Sequence, residues 1–140
     1  MIYKNDFMKP IFLILSCLLI VNSSCHKDEG LKLRVNNISE KAIYVSWTSD
    51  NSDTSINHIT NPTYNPQTEK VEAHSVQKDY YGAPSQAYFK YRDTLSVFIF
   101  DAQVLESTPW DTVKAKYLVL SRFDLSLDDL NKLNWIITYP

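Results

Sequence analysis

The sequence predicts a mainly β protein, an antiparallel β-sandwich with two short helices near the C-terminal third. Residues 31–35 and 43–48 alternate between apolar and polar, which places the apolar side chains of each segment on one face of a sheet. Residues 95–100 and 117–123 are apolar at nearly every position, as expected of strands that are covered on both faces. Residues 135–139 predict the last strand of the sandwich.

The middle of the chain is less regular. A turn at residues 36–40 is expected to join the first two strands, and residues 49–60 are polar and turn-like. Residues 71–76 supply a possible third strand. We therefore expect a long, partly irregular excursion between the second and fourth strands. Binding sites are often found on such loops, because a rigid scaffold positions them.

Two helix-start signals predict the two short helices. Thr108 is expected to cap a helix over residues 109–116, which has a proline at its first position and an acidic residue in its first turn. Ser126 is expected to cap the second helix, because Asp129 follows three residues later in the pattern of a capping box. Leucines then fall on one face over two turns, and Asn134 is expected to end the helix.

Residues 1–24 have the order of regions that a secretory signal peptide requires. Two lysines precede an almost uninterrupted apolar segment at residues 11–21, and two serines stand at its far end. The segment is shorter than the about 20 apolar residues that a membrane-spanning helix needs. We therefore expect cleavage of this region rather than a permanent membrane anchor.

This arrangement resembles the signal peptide of bacterial lipoproteins, in which the cysteine after the cleavage site carries lipid. Cys25 follows Ser23 and Ser24, although Asn22 stands where such signals usually have Leu, Val or Ile. The looser lipoprotein signals of Bacteroidetes are similar. Cleavage before Cys17, the other candidate, would leave an apolar core too short for export. We expect lipid on Cys25, where several acyl chains together give a stable membrane anchor.

A charged tripeptide follows the lipidated cysteine. Lys27, Asp28 and Glu29 resemble the lysine-plus-acidic-pair export signal of Bacteroidetes lipoproteins, which implies display on the outer face of the outer membrane. Residues 25–30 are then a lipidated tether, and residues 31–140 form a single β-rich domain of about 110 residues, an ordinary domain size. This domain has no cysteine, so its stability depends on its apolar core and not on disulfides.

A family resemblance rests on segments of the C-terminal third. Residues 93–101, 104–106, 117–120 and 122–130, with the tail that follows them, are together similar to a set of small surface lipoproteins of gut Bacteroides and their relatives. The signal region resembles these proteins in being a lipoprotein-type signal peptide. The resemblance implies a location at the outer membrane, and it implies no activity that can be mapped onto individual residues.

The sequence excludes several kinds of chemistry. A net charge of −2 and the lack of a basic patch exclude nucleic acid as a partner. His58 and His74 lack metal-ligand spacing, and we expect neither a metal nor a cofactor. Asp128 and Asp129 are adjacent in a predicted helix, so they cannot face each other across a substrate as glycosidase carboxylates do. Because no nucleophile motif occurs either, we expect no enzyme activity.

One segment has the composition of a recognition surface. Tyr80, Tyr81, Tyr88 and Tyr91 form a candidate binding patch, because aromatic rings with polar groups stack on sugars or anchor protein interfaces. The alternative is that these rings cover the open edge of the sandwich, which is the commoner use of aromatic residues in a small domain.

Two tripeptides match the Asp, Ser-or-Thr, small-or-apolar pattern that Bacteroidetes O-glycosylate on exported proteins. They are residues 93–95 and 111–113, with Thr94 and Thr112 as candidate sites. Thr112 ranks above Thr94, because a glycan must point into water and Thr94 opens a strand that is expected to be buried.

Two classes of function follow. The first is a non-catalytic binding or accessory lipoprotein that meets a glycan or a partner protein at the outer membrane. The alternative is a small inhibitor or immunity-type lipoprotein that blocks an enzyme.

Overall fold

The computed structural model describes residues 31–48, 55–65, 68–78 and 83–140, and strands predominate in it. The strands are β1 (Arg34–Asn37), β2 (Ile43–Thr48), β3 (Glu69–Val71), β4 (Ser75–Val76), β5 (Thr94–Asp101), β6 (Ser121–Ser126) and β7 (Ile136–Tyr139). The α-helices are α1 (Ala102–Ser107), α2 (Trp110–Ala115) and α3 (Leu127–Lys132), with a 3₁₀ helix at Gln86–Lys90. None of these helices has both the length and the apolar character that crossing a membrane requires.

The described strands form two sheets, which confirms the predicted mainly β, sandwich-like class. In the four-stranded sheet the order is β3-β2-β5-β6, and all neighbours are antiparallel. In the three-stranded sheet the order is β4-β1-β7. Strand β4 is antiparallel to β1, whereas β7 is parallel to it, with Val35 opposite Ile137. This parallel pair is possible because almost the whole domain separates the two strands and serves as their crossover connection.

Residues 71–76, predicted as one possible strand, contribute to both sheets. Val71 ends β3, which pairs with β2, whereas Ser75 begins β4, which pairs with β1. The chain crosses between the sheets at a turn in which His74 has a φ of 52°. This short crossing joins the two layers of the sandwich on one side.

The first core brings together apolar residues of both sheets. On β2 and β5, every second residue faces this core, as a strand's geometry requires, and the alternation was predicted for β2. Each buried aliphatic side chain contributes about 1.5–3 kcal/mol relative to an exposed one. The largest contributors from the strands and from the segment after α3 are Val35, Ile43, Val45, Leu95, Val97, Ile99, Trp135 and Ile137.

The second core lies on the opposite face of the four-stranded sheet. Phe98 and Phe100 of β5 are fully buried there against Ile56, Leu105 of α1 and Val113 of α2. Strand β5 is therefore buried on both faces, which confirms the prediction from its continuous apolar run. Part of the excursion after β2 and the two helices after β5 form a third layer over the sheet.

One helix was not predicted, and the start of the next one was predicted wrongly. Helix α1 begins directly after β5, because Asp101 Oδ1 accepts hydrogen bonds from the N–H groups of Gln103 (2.9 Å) and Val104 (3.2 Å). Thr108 does not cap the following helix. Its N–H donates to the carbonyl of Val104 at 2.9 Å and ends α1, and Pro109 takes the N-cap position of α2 without a side-chain bond.

The predicted strand at residues 117–123 begins later than its apolar pattern suggests, at Ser121. Helix α2 ends in a Schellman motif, in which the N–H of Tyr117 donates to the carbonyl of Lys114 (3.1 Å) and the N–H of Leu118 to that of Val113 (3.0 Å). Tyr117 has a φ of 49°. Leu118 packs against the second core as part of a loop. Leu118 and Val119 thus pack against the second core without pairing as a strand, whereas Tyr117 and Leu120 are exposed.

Helix α3 ends where the sequence predicts, through a second Schellman motif. The N–H of Asn134 donates to the carbonyl of Asn131 (3.2 Å), and the N–H of Trp135 donates to that of Leu130 (2.8 Å). Asn134 has a φ of 50°, a conformation that asparagine tolerates better than most residues. Leu130 and Trp135 then meet in the first core.

The capping box of α3 is present as predicted and gives a stability test. Ser126 Oγ accepts a hydrogen bond from the N–H of Asp129 (3.2 Å), and Asp129 Oδ2 accepts one from the N–H of Ser126 (3.0 Å). We expect Ser126→Ala to lower the free energy of unfolding by about 1 kcal/mol, because alanine has no side-chain oxygen to accept the bond from the N–H of Asp129. Urea unfolding followed by circular dichroism measures the change.

The matched control is Ser107→Ala in the last turn of α1. Its hydroxyl donates to the carbonyl of Gln103 (2.7 Å), a bond within the helix that adds little stability. We expect a change of less than about 0.5 kcal/mol for this variant. Equal losses in the two variants would contradict the capping assignment.

Candidate functional site

Several predicted sites lie outside the described residues. They are the lipidation and export residues and the first half of the aromatic patch: Cys25, Lys27, Asp28, Glu29, Tyr80 and Tyr81. These predictions stay predictions.

The described half of the aromatic patch divides between core and solvent. Tyr88 is half-buried and packs against the first core, where its ring is edge-on to Phe89 at 5.4 Å between centroids. Phe89 in turn is edge-on to Trp135 at 6.2 Å. Tyr91 is 82% exposed, with Lys90 Nζ 5.1 Å from its ring centroid. Tyr88 therefore follows the alternative of core coverage, whereas Tyr91 is available to a partner.

The two candidate glycosylation sites are similarly exposed. Thr94 begins β5 opposite Ser126, and Thr112 lies in the first turn of α2, where its N–H donates to the carbonyl of Pro109 at 2.9 Å. Both side chains are half-buried. The expected ranking of Thr112 above Thr94 therefore gains no support from burial.

Neither histidine of the predicted domain belongs to a metal-like cluster. His58 is exposed, and His74 Nε2 lies 3.1 Å from Glu40 Oε2 on the surface. Within the described ranges, no group of three or more His, Cys, Asp or Glu side chains is placed to hold a metal ion.

A groove of about 520 Å³ lies beside the second core. Its walls are the turn at residues 61–65 and the segment that joins α1 to α2. We call it the Tyr64–Trp110 groove. Its main lining residues are Asn61, Thr63, Tyr64, Glu106, Ser107 and Trp110.

An asparagine-centred turn holds the first wall. Asn61 Oδ1 accepts hydrogen bonds from the N–H (3.0 Å) and the hydroxyl (2.9 Å) of Thr63, and the carbonyl of Asn61 accepts one from the N–H of Tyr64 (3.1 Å). Pro62 is buried beneath the turn. An Asn-Pro pair favours this conformation. The turn therefore holds the backbone of Tyr64, and 83% of the surface of this residue is exposed.

A carboxylate fixed by two other elements stands in the second wall. Glu106 Oε1 accepts hydrogen bonds from Lys70 Nζ of β3 (2.8 Å) and from the Tyr44 hydroxyl of β2 (3.2 Å). The Lys70 bond lowers the pKa of Glu106, so its carboxylate is ionised near neutral pH. Hydrogen bonding to the same carboxylate raises the pKa of Lys70. The side chain of Glu106 is nevertheless 46% exposed.

Trp110 closes the groove at the start of α2. Its ring is edge-on to Phe100 of β5, at 5.9 Å between centroids, and packs against the second core. The residue is half-buried, so the core positions the indole and the rest of its surface lines the groove. The indole N–H makes no hydrogen bond within the described part of the chain.

A smaller cleft of about 210 Å³ meets the groove at Glu106. Asp101 lies in it, where its Oδ2 pairs with Lys41 Nζ at 3.1 Å. Burial raises the pKa of Asp101, but hydrogen bonds from the N–H of Val104 and from Lys41 outweigh it and lower the pKa below its ordinary value. This aspartate therefore holds α1 in place as a charged cap.

Two carboxylates of this region, and a third on β6, have lowered pKa values. The pKa values of Glu106 and Asp101 are lowered. Burial raises the pKa of Asp124, but hydrogen bonds from Ser96 (2.5 Å) and Arg122 (2.9 Å) lower it below its ordinary value. A general acid or base works best when its pKa lies near the operating pH. The pKa values of these three carboxylates are instead shifted further below neutral pH.

The sequence did not single out this groove. The turn at residues 61–65 and the acidic residue at 106 are visible in the sequence, but nothing local indicates that they meet. Lys70 and Tyr44 are 36 and 62 residues away from Glu106 along the chain. Only the packing of α1 over the outer face of the sheet brings these residues together.

Comparison with family models, with curated proteins and with solved structures gave no match to this chain.

The cap at Asp101 makes stability depend on pH. Because the pKa of Asp101 is lowered in the folded protein, its contribution is present at neutral pH and is lost as the pH falls through that pKa, below about pH 4. We expect Asp101→Asn to lower the free energy of unfolding by about 1 kcal/mol at pH 7, and by less near pH 2.5. Urea unfolding at both pH values measures this difference.

The matched control is Asp111→Asn in α2. Its side chain is 95% exposed and 3.1 Å from Lys114 Nζ. An exposed pair of this kind contributes about 0.5 kcal/mol or less, so we expect a small change in the control. A loss in Asp101→Asn that is equally large at both pH values would contradict the charged-cap assignment.

Proposed function

We propose that this chain is an outer-membrane lipoprotein of the Bacteroides type, anchored by lipid on Cys25 and displayed on the cell surface, with a non-catalytic binding or accessory role. The order of lysines, apolar segment, serines and cysteine supports the anchor. The adjacent Lys27, Asp28 and Glu29 support display outside.

The single observation that carries the binding role is the Tyr64–Trp110 groove. Its volume lies within the range of about 300–1,000 Å³ that is typical of ligand sites. Aromatic and hydrogen-bonding groups converge in it. Contacts with other elements fix Glu106 and Trp110, and a hydrogen bond within the turn holds the backbone of Tyr64. The lowered pKa of Glu106 favours binding over proton transfer.

The anchor is tested in the full chain expressed in a Bacteroides host. We expect Cys25→Ala to leave the membrane fraction after a carbonate wash, because no acyl chain then holds the protein. Cys17→Ala is the matched control and should stay in the membrane. Membrane retention of the Cys25→Ala variant would contradict the assignment of Cys25 as the lipid anchor.

Surface display is tested separately by external protease. Replacement of Lys27, Asp28 and Glu29 by alanine is expected to leave the protein lipidated but protected from protease added to intact cells. The unchanged protein should be digested. Digestion of both forms would contradict the role of the tripeptide as an export signal.

A partner is sought by pull-down from native outer membranes with the full chain. Recovery of a glycan or a surface protein supports the binding role. Recovery of one enzyme in inhibited form would instead support the alternative of an inhibitor or immunity-type lipoprotein.

Modification at Thr112 is tested by mass spectrometry of the protein from its native host. We expect a glycan mass on the peptide that contains Thr112, and a lower occupancy at Thr94. A bare peptide around Thr112 at full occupancy would exclude this site.

A further inference from the structure

We infer that the Tyr64–Trp110 groove binds a neutral carbohydrate, with rings from both walls stacking on sugar faces and Glu106 accepting a sugar hydroxyl. This inference rests on the proposed binding role and names its ligand class. The groove is about 520 Å³ in volume and is open along the surface, so it suits a short oligosaccharide better than an enclosed small molecule.

The aromatic groups supply the first part of the argument. Tyr64 and Trp110 stand on opposite walls, one 83% exposed and the other half-buried. A sugar ring has an apolar face of C–H groups beside polar edges, and aromatic residues with a polar atom match both features. Trp110 and Tyr64 each have such an atom, the indole N–H and the phenol hydroxyl. The rings are therefore suited to an amphipathic ligand.

The hydrogen-bonding groups supply the second part. Both bonds to Glu106 use Oε1, and Oε2 makes none within the described part of the chain. Lys70 and Tyr44 thus orient a carboxylate whose second oxygen is left to accept a bond. Asn61 uses its Oδ1 in the turn, and its Nδ2 makes no hydrogen bond to described residues. One acceptor and one donor in fixed positions suit vicinal hydroxyls, which both donate and accept.

Charge selects a neutral ligand. Lys70 balances Glu106 at 2.8 Å, and Glu106 is the one charged residue among those that line the groove in the described part of the chain. An acidic sugar would meet the carboxylate of Glu106 and be repelled, whereas a cationic ligand would compete with Lys70. An aliphatic ligand would need an apolar lining, but Leu105 is 95% covered by the second core.

The test uses the full chain in detergent micelles on an array of oligosaccharides. The array holds neutral hexose and N-acetylhexosamine oligomers beside oligomers that contain uronic or sialic acid. We expect binding to neutral oligomers, with an affinity that changes little between about 0.05 M and about 0.5 M NaCl. A neutral ligand forms no ion pair with the protein that salt could screen. Binding to acidic oligomers alone would overturn the inference.

Variants then locate the site by calorimetric titration with the neutral oligomer that binds best. Tyr64→Ala and Glu106→Gln are each expected to weaken affinity at least about fivefold. Ile38→Ala is the control, since Ile38 is 50% exposed and does not line the groove, and it should leave the affinity unchanged. Tyr91→Ala tests the aromatic patch as the rival site, because Tyr91 is 82% exposed and lies outside the groove. Because both tyrosines are on the surface, their substitution leaves the fold intact, which circular dichroism checks.

The outcomes separate this inference from the proposed function. Loss of affinity in Tyr91→Ala with none in Tyr64→Ala would place carbohydrate binding elsewhere and overturn the groove assignment. No array binding, together with recovery of a protein partner from outer membranes, would overturn the carbohydrate assignment and leave the binding role standing. If the array shows no binding and the pull-down recovers no partner, both the carbohydrate assignment and the proposed binding role are overturned.

Discussion

The burial of β5 on both faces is the constraint on which the rest of the structure depends. Leu95, Val97 and Ile99 face the first core, whereas Phe98 and Phe100 face the second. Two layers must therefore cover this strand, the three-stranded sheet on one side and the helices α1 and α2 on the other. The candidate groove lies in the outer of these layers. Its second wall is the segment that leads from the helix after β5 to the next helix.

Two described helices end without a glycine. Its two glycines are Gly30 and Gly82, and neither lies in a described helix or strand. Helices α2 and α3 both end in Schellman motifs, with Tyr117 and Asn134 in the left-handed conformation that glycine adopts at no steric cost. Each motif places an apolar residue against its own helix and into a core. The packing of Leu118, which is partly buried, and the burial of Trp135 offset the backbone strain, so tertiary packing decides these conformations.

Local patterns predicted the strands because a strand's periodicity follows directly from which face is buried. The alternation in β2 and the continuous apolar run in β5 both gave the observed burial. The same reasoning failed at residues 117–123. An apolar run after a short helix is equally consistent with a strand and with a helix end that packs against the core. Helix α1 was missed because Asp101 is both the last residue of β5 and the cap of the helix, and its preceding pattern is wholly that of a strand.

The groove could not be predicted, because its chemistry is created by contacts between distant segments. An exposed glutamate on a six-residue helix is ordinarily a solvated side chain, with several rotamers that a ligand would have to select. Here Lys70 from β3 and Tyr44 from β2 hold one carboxylate oxygen of Glu106, which reduces the conformational entropy that binding would otherwise remove. Neither partner indicates a site by its own position in the sequence. The pairing of β2 with β3 places both side chains on the outer face of the sheet, opposite each other in register, where both contact Glu106 of α1. The proposed recognition of a ligand thus depends on the same strand pairing that builds the core.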